Sequence, residues 1–123
     1  MTNPFRDQEK FMRACDQTVG EFNEKQFALY TNLIIEEQQE LLEATLSDNR
    51  VEQLDALIDI LVVTVGAIHS MGADAEGAWK EVMATNFAKI DPTTGKVIKR
   101  DDGKILKPEG WKAPELKPFL TRG

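Results

Sequence analysis

The stretch from Val51 to Met71 constrains this chain more than any other, because it carries Leu-Asp-Ala-Leu-Ile-Asp-Ile-Leu-Val-Val-Thr-Val-Gly-Ala-Ile-His-Ser-Met, the most apolar run in the sequence. Its β-branched residues suit a strand, but strands rarely exceed ~10 residues, whereas helices of this length are routine. Asp55 and Asp59 interrupt the run, and it falls short of the ~20 apolar residues that cross a bilayer. No membrane partner is expected. The pattern predicts a central helix, buried nearly all round, that ends at Gly72. Asp59 is then the anomaly. Among Leu57, Ile58, Ile60, Leu61 and Val62 its carboxylate loses hydration on folding, and an unpaired buried carboxylate is unstable unless a proton, a partner or a cation compensates it.

The rest of the chain supplies further helices. Phe11, Cys15, Val19 and Phe22 recur at helical spacing between Pro4 and Phe22, and Pro4 suits a first turn. After a break near Asn23, a second amphipathic stretch runs to about Leu46 on Phe27, Tyr30, Leu33, Ile34, Leu41 and Leu42. Ser47-Asp48-Asn49 offers a turn and a cap for the apolar helix. Asp74 can cap a fourth helix bearing Trp79, Val82, Met83, Phe87 and Ile90, which must end before Asp91-Pro92. The expected fold class is all-α, a four-helix bundle. Beyond it, Lys96 to Arg100 and Lys104 to Lys107 flank Asp101-Asp102-Gly103, a hairpin-like turn, and the Pro- and Gly-rich end from Pro108 reads as an irregular tail. The expected organisation is one domain, with a helical core over residues 1–95 and a basic hairpin and tail over 96–123.

Fifteen Lys plus Arg against 21 Asp plus Glu leave a net charge of −6, which works against gripping a nucleic acid polymer through its phosphates. The N-terminus lacks the basic, apolar, small-residue order of a secretory signal, so a cytoplasmic location is expected. Cys15, the single cysteine, cannot form an internal disulfide and is expected as a small core residue. His69 is expected at the surface or capping a helix end, since no Cys or second His accompanies it to build a zinc site.

The second helix holds Glu36, Glu37, Glu40 and Glu43 at separations of three and four residues, which places neighbours ~6 Å apart along one face. Like charges so spaced repel, and no Lys or Arg stands within this stretch to relieve them. Taken alone, this helix reads first as an acidic face in water. Asp55 and Asp59, four apart on the third helix, tip the balance toward a shared cation. Oxygen-only donors favour Mg²⁺, with Mn²⁺ as a substitute, over zinc.

Glu36-Glu37-x-x-Glu40 followed by Asp55-x-x-x-Asp59 resembles the acidic signature of the all-α nucleotide pyrophosphohydrolases, the superfamily of MazG and phosphoribosyl-ATP pyrophosphohydrolase. Thr85-Asn86-Phe87-Ala88-Lys89 and the lysine-rich Gly95 to Lys107 segment are similar to the Ser-Asn-x-x-Lys and basic tail of a phage and bacterial branch of that group. The resemblance covers roughly residues 30 to 115. It implies Mg²⁺-dependent cleavage of a nucleoside triphosphate between the α and β phosphates. By position, it makes Glu37, Glu40 and Asp59 metal ligands and Glu36 a ligand or the base for water. The commonest family pattern in the third helix is Glu-x-x-Asp, and aligning its Asp with Asp59 puts Ala56 where Glu is expected. Asp55 is then the replacement ligand, while the alternative register, Glu52-x-x-Asp55, leaves Asp59 unexplained.

Asn86 and Lys89, three apart, can reach one phosphate or sugar together, although Asn and Lys also commonly terminate helices. Lys104 and Lys107, with Lys96, Lys99 and Arg100, can close a basic hairpin over the triphosphate, or simply guard strand edges. Trp111 can stack on a base, but anchoring the tail is the simpler role. The competing classes are a non-catalytic helical adaptor, a phosphoribosyl-ATP hydrolase and a ferritin-like di-iron protein, which lacks its usual Glu-x-x-His pairs here. The apolar faces exceed what one small bundle can hide, which predicts a homodimer or a homotetramer.

Overall fold

The computed structural model describes residues 3–121 and contains four helices: α1 (Pro4–Ala14), α2 (Glu24–Leu46), α3 (Arg50–Ser70) and α4 (Ala75–Phe87). Strands β1 (Ile90–Asp91) and β2 (Lys96–Val97) pair antiparallel, with Ile90 opposite Val97, and a 3₁₀ turn covers Lys117–Phe119. The architecture is all-α with a small C-terminal hairpin, as the sequence predicts. Among the described residues no single helix is long and apolar enough to cross a membrane.

Asparagine starts three of these helices. The side chains of Asn3, Asn23 and Asn49 accept hydrogen bonds from the backbone N–H groups of Arg6, Gln26 and Glu52. Each such cap is worth ~1 kcal/mol, because it satisfies a donor that the first helical turn leaves orphaned. Gly72, at φ +76°, ends α3 in a left-handed conformation. A Cβ there would collide with the backbone of Glu21 and Phe22.

The chain divides into two compact units, the first built from α1, α2, α3, Ala75 and the residues from Phe119 onward, the second from Glu76–Pro118. In the first, α2 and α3 form a helical hairpin and α1 packs on α3. Met12, Tyr30 and Ala67 are buried at its centre, surrounded by Val19, Phe27, Leu33, Ile34 and Val63. Tyr30 lies so close to Gly66 that a Cβ there would clash with its ring carbons, the nearest at 2.3 Å. Polar contacts stitch the same end together. Gln26 Nε2 donates to Thr18 O and Ser70 Oγ, both at 2.8 Å, while its Oε1 accepts from Thr18 N at 2.9 Å. The Tyr30 hydroxyl donates to Gln17 Oε1, and Asn23 N donates to Ser70 O.

Four expectations are corrected here. Helix α1 stops at Ala14, short of Phe22, because Asp16 adopts φ +58° and the following loop turns back to make the Gln17 and Thr18 contacts. The core side of α1 consequently carries Gln8 and Met12, while Phe11 and Phe22 are 61% and 67% exposed. Cys15 caps that shortened helix and is exposed. His69 is buried, its Nε2–H donating to Phe5 O at 2.8 Å and so tying the end of α3 to the start of α1. Finally, α3 is not buried all round: Val51, Leu54, Leu57 and Ile58 are 78%, 63%, 51% and 52% exposed, on a flank that α1 and α2 leave open.

In the second unit the tail is strapped onto α4. Trp111 Nε1 donates to Thr85 O at 2.7 Å, and Glu115 N donates to Glu81 Oε2 at 2.8 Å. The turn expected at Asp101-Asp102-Gly103 is present, with Gly103 N donating to Arg100 O, Arg100 N to Lys104 O and Leu106 N to Ile98 O. The earlier β1–β2 pair escapes sequence reading, although Asp91-Pro92-Thr93-Thr94-Gly95 has the composition of a turn and Gly95 N does donate to Asp91 O.

Candidate functional site

Glu37 and Glu40, three apart on α2, face Asp59 on α3, and one carboxylate oxygen from each lies within 4.8 Å of the others. Glu37 and Asp59 are half-buried and Glu40 is exposed. At that separation each pair of unit charges repels by ~3 kcal/mol at an effective dielectric constant of ~20. No Lys or Arg among the described residues pairs with any of the three; Arg13 pairs with Glu9 and Arg100 with Asp102 instead.

The electrostatics record this crowding. Burial first, then contact with the Glu40 carboxyl and the charges of Glu40, Asp59 and Asp55, push the Glu37 carboxyl up to about 7. Burial, followed by the charges of Asp55 and Glu40, also raises Asp59. Glu37 Oε2 is buried and has no hydrogen-bond partner. A hard divalent cation fits this donor set, because carboxylate oxygens from two helices converge with one oxygen orphaned and no Lys or Arg among the described residues to satisfy it.

Asp55, one turn before Asp59, is exposed and outside this trio, yet near enough to raise both Glu37 and Asp59. Glu36 is exposed and also lies outside the trio. Glu52 is exposed and outside the trio; its backbone N–H is capped by Asn49, and it lines a cleft of about 440 Å³ with Glu40, Glu43 and Asp55. Ala56, only 3% exposed, and Ala44, 6% exposed, line the same cleft, small residues where α2 and α3 approach each other.

The basic candidates belong to the second unit. Lys89 Nζ donates to Asn86 Oδ1 at 3.1 Å and lies 5.1 Å from the centre of the Trp111 ring, while Lys107 Nζ lies 4.7 Å from it. Asn86, Lys89 and Lys107 are thus brought together, and Lys104 is not among them. Its backbone N–H donates to Asp102 Oδ1 within the turn. An exposed cation on an aromatic face gains ~0.5–1 kcal/mol, less than the ~2 kcal/mol of rotamer freedom that ordering a lysine can cost. Trp111 performs the anchoring role expected of it, through Thr85, but its link to both lysines had no signal in the sequence because they lie 18 residues apart, as Lys89 and Lys107.

The all-α architecture, with a carboxylate cluster on α2 and α3, agrees with the all-α nucleotide pyrophosphohydrolase superfamily. The sequence profile of the phosphoribosyl-ATP pyrophosphohydrolase family matches residues 6–86, and the chain belongs to this family, whose members are hydrolases acting on acid anhydrides. The match takes in all the acidic candidates and leaves the hairpin and tail outside. No individual curated protein matches the chain.

Proposed function

We propose that the chain is a Mg²⁺-dependent nucleoside triphosphate pyrophosphohydrolase that cleaves between the α and β phosphates, releasing a nucleoside monophosphate and pyrophosphate for housecleaning or deoxynucleotide pool control. The observation that carries this reading is the Glu37, Glu40 and Asp59 trio with its orphaned Oε2. These three would hold the cation, with Asp55 as a fourth ligand and Mn²⁺ as a substitute. When bound, Mg²⁺ neutralises polyphosphate charge and favours attack by water. Glu36, one turn from Glu40 on α2, takes the proton of that water on a carboxylate oxygen as the P–O bond at the α–β bridge breaks and pyrophosphate leaves with the electron pair. Asn86, Lys89, Lys104 and Lys107 are the candidates for contacting phosphate or sugar.

Phosphoribosyl-ATP is a second substrate reading, favoured by the family description and built on the same bond cleavage. The exposed apolar stripe of α3 supports assembly as a homodimer or homotetramer.

The test is a panel of nucleoside triphosphates and phosphoribosyl-ATP with Mg²⁺, with pyrophosphate and orthophosphate measured separately. Glu40→Gln and Asp59→Asn should lower turnover by about a hundredfold or more, roughly 3 kcal/mol of barrier, with helicity intact. Release of orthophosphate alone, or an Asp59→Asn variant as active as the parent, would contradict the proposal.

A further inference from the structure

Two exposed surfaces of this chain complement each other in both polarity and charge. On α3, Val51, Leu54, Ile58 and Leu61 recur at steps of three and four residues and are 78%, 63%, 52% and 44% exposed, which makes one apolar stripe. Asp55 and Glu52 border it, and together with Glu40 and Glu43 of α2 they line the acidic cleft. The stripe is therefore rimmed by negative charge on its α2 side.

The second surface lies on the hairpin of the other unit. Lys99 bridges Ile105, Leu106 N donates to Ile98 O at 2.8 Å, and Arg100 N donates to Lys104 O at 2.7 Å. This antiparallel register sets Ile98 beside Leu106 and Arg100 beside Lys104, and because side chains alternate along a strand, both pairs stand on one face. Lys96, two residues before Ile98, shares that face. Ile98 and Leu106 are 55% and 41% exposed, and with Ile90 and Pro92 they line a cleft of about 350 Å³ that offers a recess for an incoming side chain. Asp102 pairs with Arg100, whereas Lys96 and Lys104 have no carboxylate within ion-pair distance among the described residues.

The two units divide the charge in the same sense. Glu76–Pro118 holds nine Lys and Arg against seven Asp and Glu, and the remainder of the chain holds six against 14. Packing stripe against stripe brings Asp55 and Glu52 toward their own counterparts, while packing hairpin against stripe brings opposite charges together around an apolar centre. We infer that the basic face of the hairpin in one copy docks on the α3 stripe of a second copy, with Ile98 and Leu106 against Leu54 and Ile58, and with Lys96 and Lys104 toward the acids at the rim. In a two-fold pair this contact occurs twice, once in each direction, so the assembly closes instead of growing into a fibre. The inference rests on the reading of the chain as a homo-oligomer and adds what covers the stripe.

Cross-linking separates this contact from its alternatives, in Cys15→Ser chains that lack the native thiol and in EDTA without nucleotide. Val51→Cys and Ile98→Cys chains, one of them tagged, are mixed and treated with a short bismaleimide. A covalent pair should form only in the mixture and contain one chain of each kind. Pairs formed by the Val51→Cys chain alone would mean that the stripes pack on each other, and a chain carrying both cysteines that cross-links only within itself would mean that the hairpin meets its own α3. Either result overturns the inference, as does a mixture that yields no covalent pair. Sedimentation gives a second readout: Lys96→Glu with Lys104→Glu should weaken self-association by about tenfold or more, and adding Glu43→Lys and Glu52→Lys to the same chain should restore it. An unchanged association constant for the first variant, or a parent that stays monomeric at micromolar concentration, would also overturn the inference. Only the last outcome removes the homo-oligomer reading as well, and none of these measurements uses turnover, so the hydrolase reading can fail with the contact intact.

Discussion

Replacing Glu37 with Gln should stabilise the metal-free protein at alkaline pH, an unusual outcome for a half-buried side chain. The carboxyl is raised from 4.5 to about 7 in the folded chain, and Asp59 is raised with it. A folded state that holds its protons more tightly than the unfolded chain is favoured at low pH, and this advantage is complete below about 4.5 and lost as pH climbs through about 7. The shift corresponds to at most about 3 kcal/mol, and solvent screening at a site with an exposed Glu40 reduces that to about 1–2 kcal/mol. Gln keeps the shape, removes the charge and can donate to the Glu40 carboxylate. Thermal unfolding in EDTA should therefore show the variant melting about 4–8 °C above the parent at pH 8, and level with it near pH 4.5. Mg²⁺ should raise the melting temperature of the parent at pH 8 and leave the variant nearly unmoved, since a ligand stabilises only the state that binds it. A variant that melts at or below the parent in EDTA at pH 8, with parallel curves across pH, would refute the idea that these carboxylates repel one another.

Gly66→Ala should destabilise by about 2–3 kcal/mol, because the new methyl group meets a Tyr30 ring already pinned by Gln17. An unchanged melting temperature would show that the ring yields freely. Leu54→Lys with Ile58→Lys should convert an oligomer to monomer in light scattering at micromolar concentration, since both residues stand exposed on the apolar stripe of α3. A parent chain that is already monomeric at that concentration would remove the basis for assembly.

Much of this structure was readable because its signals are local. Asn23, Asn49 and Gly72 mark helix ends through hydrogen bonds and backbone angles that depend on a few neighbouring residues. The acidic trio was equally legible, because a fixed helical rise turns the spacing of Glu37 and Glu40 into a distance, and the apolar flanks of Asp59 make its charge conspicuous. The misread features depend on tertiary contacts. The apolar periodicity of Phe11, Cys15, Val19 and Phe22 continues past Ala14, but the chain leaves the helix there and Gln26 bridges Thr18 of the loop to Ser70 of α3. His69 finds its carbonyl 64 residues away at Phe5, a partner no local pattern can announce. Composition also cannot say which side of an all-apolar helix has a neighbour, which is why the exposed flank of α3 was not apparent.

The polar stitching of the α2–α3 hairpin has a mechanical consequence. Gln26, Tyr30, His69 and Ser70 bind its base to α1 and the following loop, while Leu46, Val51 and Leu54 leave its tip bare. The pair of helices behaves as a tuning fork clamped at the handle, with its carboxylates partway along the prongs. Whatever draws those prongs together therefore acts away from the clamp, on the half of the hairpin whose apolar side chains stand exposed.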